Sequence, residues 1–299
     1  MRHVVLLAAV QLLAACMDPD QPATTASASK GSALFGTDAN LAPSKPDAIL
    51  RYAEHARGFA ELRLPAGKGP FPLAMIFHGG CWQTGIATQA YMAPLATRWQ
   101  QQGIATLNVD YREVGDGGGW PGSFADWQAA AGLIDRVAVT YPIDRARATL
   151  VGHSAGALPA QWLAAAQDAA GPLGARAPFA ARAAIVLDGP ADVGLEQAAF
   201  DTLCQLSAVA PFMGGTSDTV PARFAAIAPG KHPPHLAQVL FVQAKLPPAP
   251  EAAQTAIRAS GATVTVRTNP GASHFAIITP GNAAYERNEA AMLAVLRGP

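Results

Sequence analysis

The run Thr149-Leu150-Val151-Gly152-His153-Ser154-Ala155-Gly156 constrains this chain more than any other. A short apolar stretch ends in Gly-x-Ser-x-Gly, and an Ala-rich, helix-capable segment follows at once. A strand that turns this sharply into a helix holds the serine at a strained backbone angle and lifts its hydroxyl out at the strand end. Side chains at 152 or 156 would collide with neighbouring elements, so glycine stands at both. Ser154 is therefore a candidate nucleophile. The plain alternative is an ordinary Gly-rich strand-to-helix turn.

A second motif weighs against that alternative. Ala74-Met75-Ile76-Phe77 reads as a buried strand and leads into His78-Gly79-Gly80-Cys81-Trp82. His-Gly-Gly after a strand, upstream of Gly-x-Ser-x-Gly, supplies backbone N–H groups for an oxyanion hole. The candidate donors are the amides of Gly80, Cys81 and Ala155. Ala155 also opens the following helix, whose N-terminus favours a developing negative charge.

With these motifs in this order, the chain resembles the α/β-hydrolase superfamily. It is similar to the esterase, arylformamidase and feruloyl-esterase-like branches that carry His-Gly-Gly-x-Trp and Gly-His-Ser-Ala-Gly. The resemblance runs from about Ile49 to the C-terminus. It takes in Asp110-Tyr111-Arg112, Trp120-Pro121 and Gly271-Ala272-Ser273-His274-Phe275. It implies an α/β-hydrolase fold, a Ser–acid–His triad and no cofactor.

The pattern of the chain predicts the same class. Phe59 to Leu64 reads as an early antiparallel strand. Six further short apolar or β-branched runs begin at Leu73, Ala105, Thr149, Ala183, Val239 and Thr263. Between them lie helical candidates Gln89–Gln101, Phe124–Val139, Ala155–Ala169, Glu251–Ala259 and Ala284–Leu296. This alternation predicts a mostly parallel central sheet with helices on both faces, and ligands at the carboxyl ends of its strands. Residues 190–234 form a long connection, either a small cap over the pocket or a surface insertion.

The N-terminus stands apart. Arg2 and His3 precede an apolar run too short to span a bilayer as a mature helix, then Leu13-Ala14-Ala15-Cys16, which resembles a bacterial lipobox. Residues 1–16 read as a signal peptide with Cys16 as the lipidation site, residues 17–46 as a flexible tether, and 47–299 as the folded domain. A plain secretory signal is the alternative, and both readings export the protein. In an exported chain Cys81 and Cys204 can pair, although nothing in the sequence shows that they meet. Net charge is +0 with no Lys/Arg block, which argues against nucleic acid. Contact with a membrane is expected only through the lipid anchor.

His274 is the expected base, lying after the last strand candidate and before the last helix. His78 and His153 adjoin the motif loops and read as structural. His232-Pro-Pro-His235 lacks a nearby acid or thiol to complete a metal set, so no metal site is expected. The acid is the anomaly. Relatives place it after the penultimate core strand, but here Gln243 is followed by Ala244-Lys245-Leu246-Pro247-Pro248-Ala249-Pro250. Asp188, one strand earlier, is the preferred acid. Glu251 is the alternative, with Asp192 behind it.

The sequence thus predicts a serine hydrolase acting on small carboxylic esters. An arylformamidase-type amide hydrolase is the first alternative, and a non-catalytic binding protein of the same fold is the second. Trp82, Trp120 and Phe212 are candidates to line an aromatic substrate pocket, although core packing is the commoner role for such side chains.

Overall fold

The computed structural model describes residues 41–298. The expected signal peptide, Cys16 and most of the expected tether lie outside them. The ordered fold reaches back before the expected boundary at residue 46. Ser44 donates from its N–H to Thr97 Oγ1 and from its hydroxyl to Gln100 Oε1, while its carbonyl accepts from Arg63.

Eight strands build one sheet: β1 Ala48–Arg51, β2 Phe59–Arg63, β3 Phe71–Phe77, β4 Ala105–Val109, β5 Ile143–His153, β6 Ala183–Leu187, β7 Gln238–Gln243 and β8 Thr263–Thr268. Their order is β1-β2-β4-β3-β5-β6-β7-β8. β1 and β2 pair antiparallel, as do β2 and β4, and every other neighbour is parallel. The helices are α1 Ala93–Gln101, α2 Gly122–Ala131, α3 Leu133–Thr140, α4 Ala157–Trp162, α5 Gln197–Cys204, α6 Val209–Met213, α7 Pro221–Ala225, α8 Glu251–Ala259 and α9 Ala283–Arg297.

Both faces of the sheet are covered, which is why its inner strands read as continuous apolar runs. Leu73, Met75 and Phe77 of β3 pack with Phe124, Trp127, Ile134, Leu158 and Ile257 from α2, α3, α4 and α8. Ala74 and Ile76 face the other way, onto Leu95 and Trp99 of α1 and Tyr285, Met292 and Leu296 of α9.

Two expected helices are shorter than their apolar pattern. The 124–139 segment breaks at Gly132 into α2 and α3. α4 stops at Trp162 because the Arg176 guanidinium reaches in from a distant loop. It donates to the carbonyls of Trp162, Leu163 and Ala165 and so replaces the next helical turn. The 190–234 connection carries α5, α6 and α7. It does two jobs: Phe200 and Phe212 enter the core, and the end of α5 walls the cavity described below.

Candidate active site

The site sits over the carboxyl ends of β3, β5, β6, β7 and β8. Ser154 leaves β5 in a single 3-10 turn, Ser154–Gly156, ahead of α4. Its φ is 55°. A Cβ on Gly152 would strike the Gly156 carbonyl, and one on Gly156 would strike the Phe77 carbonyl. The two glycines therefore permit the turn that sets Ser154 at φ > 0.

Asp188 leaves β6 at φ 43° and is fully buried. One carboxylate oxygen, Oδ2, lies 2.7 Å from His274 Nδ1. The other accepts the N–H groups of Ala244, Lys245 and Leu246, at 2.8, 3.0 and 3.0 Å. Burial alone would raise this carboxyl. The hydrogen bond and charge of His274, with the amides of Ala244 and Lys245, outweigh burial and hold it below the usual carboxylate range. With Nδ1 engaged, Nε2 is the imidazole nitrogen left to serve Ser154, which lines the same cavity as His274.

The two other carboxylates are elsewhere. Glu251 stands exposed at the first turn of α8 and pairs with Arg258 at 2.8 Å. Asp192 accepts the N–H groups of Gly194 and Leu195 and so closes a turn. Neither is a partner of His274. A dipole-favoured position explains the first, and local turn chemistry the second.

Gly80, Cys81 and Trp82 follow one another at φ 115°, 54° and 54°. This loop is anchored from beneath. Tyr111 donates its hydroxyl to the His78 carbonyl, His78 Nε2 lies 3.1 Å from Asp110, and Trp82 Nε1 donates to the Ala155 carbonyl. Cys81 is disulfide-bonded to Cys204 at the end of α5, with Cα atoms 6.0 Å apart. Gly80 and Cys81 line the cavity. Among the described residues, no protein acceptor takes either N–H. Ser154 lines the same cavity. Ala155 is buried directly after the serine.

The cavity measures about 610 Å³. Ile86, Leu203, Leu206 and Phe275 give it apolar walls; among the described residues, no Asp or Glu lines it, and Lys245 is its one basic side chain besides histidine. Trp82, Trp120 and Phe212 do not line it. Trp82 is fully buried and stacks on Phe212 with ring centroids 4.4 Å apart. Trp120 packs edge-on against Phe124. Trp82 and Phe212 are fully buried and Trp120 half-buried in the seam where the 190–234 insertion meets the core, away from the cavity. The apolar wall residues Ile86, Leu203 and Leu206 carry no motif and are spread along the chain, which is why the sequence did not reveal them. Among the described residues, no cluster of three His, Cys, Asp or Glu side chains is arranged to hold a metal.

The BD-FAE family profile matches residues 61–232, from β2 through the end of α7 and beyond. No curated protein matches the sequence. Among solved structures the chain is similar to esterase 2 of Thermogutta terrifontis, phosphonylated by cyclosarin. Identity there is 18%, coverage 86% of this chain and 98% of that one, and the TM-score 0.64. It is also similar to esterase B of Lactobacillus Rhamnosis, at 17% identity, 85% and 87% coverage and a TM-score of 0.64. A bifunctional GH43-CE protein of Bacteroides eggerthii matches at 18% identity and a TM-score of 0.62, over 83% of this chain but only 38% of its own length. At these identities the likeness carries the fold. Together with a family profile spanning more than half of the sequence, it establishes that the chain belongs to the BD-FAE family of α/β-hydrolase-like esterases.

Proposed function

We propose that this protein is a serine carboxylesterase with Ser154 as nucleophile, His274 as base and Asp188 as acid. The observation that carries the reading is the 2.7 Å contact between Asp188 and His274 Nδ1, at a cavity that Ser154 also lines. His274 Nε2 takes the Ser154 proton as Oγ attacks the ester carbonyl. The amides of Gly80, Cys81 and Ala155 receive the developing oxyanion. His274 then protonates the leaving alcohol, and water, activated by the same imidazole, releases the acyl group. Asp188 holds the imidazole tautomer and stabilises the imidazolium. The apolar walls suit an ester with a small apolar acyl or aryl part. The names of the similar solved structures, esterases and a carbohydrate esterase, support ester over amide.

Export is part of the proposal. A Cys81–Cys204 disulfide is at home in an oxidising compartment, and the lipobox-like Cys16 supplies a membrane anchor.

The test is turnover of p-nitrophenyl acetate and labelling by a fluorophosphonate. Ser154→Ala should lower kcat on the order of a thousandfold or more, because nucleophile and base act as a unit. The probe should attach at Ser154. Attachment to another serine, or wild-type turnover by the variant, sinks the assignment.

A further inference from the structure

The sequence leaves His153 as a structural neighbour of the nucleophile and passes over Tyr91 altogether. The structure joins them in one chain of hydrogen bonds. The Tyr91 oxygen lies 2.5 Å from the Gly79 N–H and 2.8 Å from His153 Nδ1. His153 Nε2 lies 3.1 Å from the carbonyl oxygen of His274. Gly79 N–H can only donate, so the Tyr91 oxygen accepts there. The His274 carbonyl can only accept, so His153 Nε2 carries a proton. Burial keeps His153 neutral, so its Nδ1 is a lone-pair acceptor and the single hydrogen of Tyr91 goes to it. His153 is then the neutral Nε2–H tautomer.

We propose that Tyr91 and His153 are positioning residues, a relay that ties the oxyanion loop at Gly79 to the backbone of His274. The proposal rests on the esterase reading of Ser154, His274 and Asp188. Asp188 fixes the imidazole of His274 from the side chain, and the relay fixes the same residue from the main chain. The donors that stabilise the oxyanion and the base that moves the proton are therefore held in one frame. Neutrality of His153 matters for a second reason. Its ring centroid is 4.4 Å from that of His274. A charge there would oppose the imidazolium that His274 becomes during the reaction. Burial, and after it the neighbouring His274, hold His153 well below the ordinary histidine range.

Tyr91 also lines the cavity, so the experiment must separate alignment from wall contact. Tyr91→Phe keeps the ring and removes the hydroxyl. It should lower kcat about tenfold with KM within about twofold, the scale set by stranding buried hydrogen-bond partners. His153→Leu should lower kcat at least as far. The double variant should be no slower than the slower single, within about twofold, because both changes cut one relay. A Tyr91→Phe protein with raised KM and unchanged kcat overturns the proposal, as do single effects that multiply in the double variant. If His153→Leu does not fold, Tyr91→Phe and one further measurement still decide. Nitrogen-15 NMR of the wild-type histidines at neutral pH should report His153 as Nε2–H. An Nδ1–H or doubly protonated His153 overturns the relay whether or not the protein hydrolyses esters. Absence of ester turnover in the wild type overturns the esterase reading alone.

Discussion

The two banks of the cavity are built differently. On the sheet bank, Ser154, Asp188 and His274 follow β5, β6 and β8, and their spacing is inherited from the parallel register of the strands. On the cap bank, residues 202–206 at the end of α5 are carried by a long insertion. They are held there by the Cys204–Cys81 bond, by a left-handed Gln205 at φ 57°, and by the packing of Phe200 and Phe212 against Trp82. Displacing the first bank means disturbing the sheet itself. Displacing the second means loosening a few anchors. Chemistry belongs where the fold is least free to move, and substrate selection where it is freest.

Variants on the sheet bank should therefore act on kcat, and the largest effect after loss of the nucleophile is expected at Asp188. Asp188→Asn should lower kcat by roughly a hundredfold to ten-thousandfold. The amide favours the wrong tautomer of His274 and offers no charge to the imidazolium. Steady-state kinetics check this, and full activity in the variant would remove Asp188 from the triad.

The disulfide is the one covalent link across the two banks, so it is where the contrast breaks. Replacing Cys81 and Cys204 together by serine should cost about 2–5 kcal/mol of stability, read from urea unfolding. It should also lower kcat roughly tenfold, because the amide of residue 81 is a proposed oxyanion donor. A rise in KM alone would mean that the banks work independently and would sharpen the contrast.

The smallest effect is expected at Glu196, at the foot of the cap. Its buried carboxylate accepts the N–H groups of Ala191 and Asp192 through one oxygen, while the other is buried without a side-chain partner. Burial pushes this carboxyl up to about 7. The folded protein then binds a proton that the unfolded chain has released, so the contribution is favourable below the ordinary value near 4.5 and is lost as pH rises towards 7. Glu196→Gln should gain on the wild type between about pH 5 and pH 8, by a few kcal/mol at most. Urea midpoints at the two pH values measure it, and a difference independent of pH would mean the carboxyl is not shifted.

The inner strands were legible because both faces are buried and the apolar runs are continuous. β1 was not: its four residues alternate between half-buried and exposed, at the sheet edge, and give no run to read. β5 begins earlier than its apolar core, at Ile143, because Arg145 and Arg147 are tolerated where the strand is not yet covered. The elbow, the His-Gly-Gly loop and the Asp188–His274 pairing were legible because each is local or follows from strand order. The pocket walls were not. Trp82 and Leu206 are both apolar residues near the site, and only the three-dimensional seam decides that Trp82 is sealed and Leu206 faces the cavity. Tyr91 was invisible for the same reason, since its partners Gly79 and His153 come from two other segments of the chain.

The cradle around Asp188 has a wider consequence. The amides of Ala244, Lys245 and Leu246 that grip its carboxylate belong to the loop after β7, the loop where the family resemblance led one to expect the acid. That loop carries no carboxylate of its own from Ala244 to Pro250 and hosts the one that leaves the strand next door. The imidazole lies over the furrow between two adjacent strands, so it can be served from either bank of that furrow. What the fold preserves is an address for a negative charge, and the residue that delivers it is free to change hands.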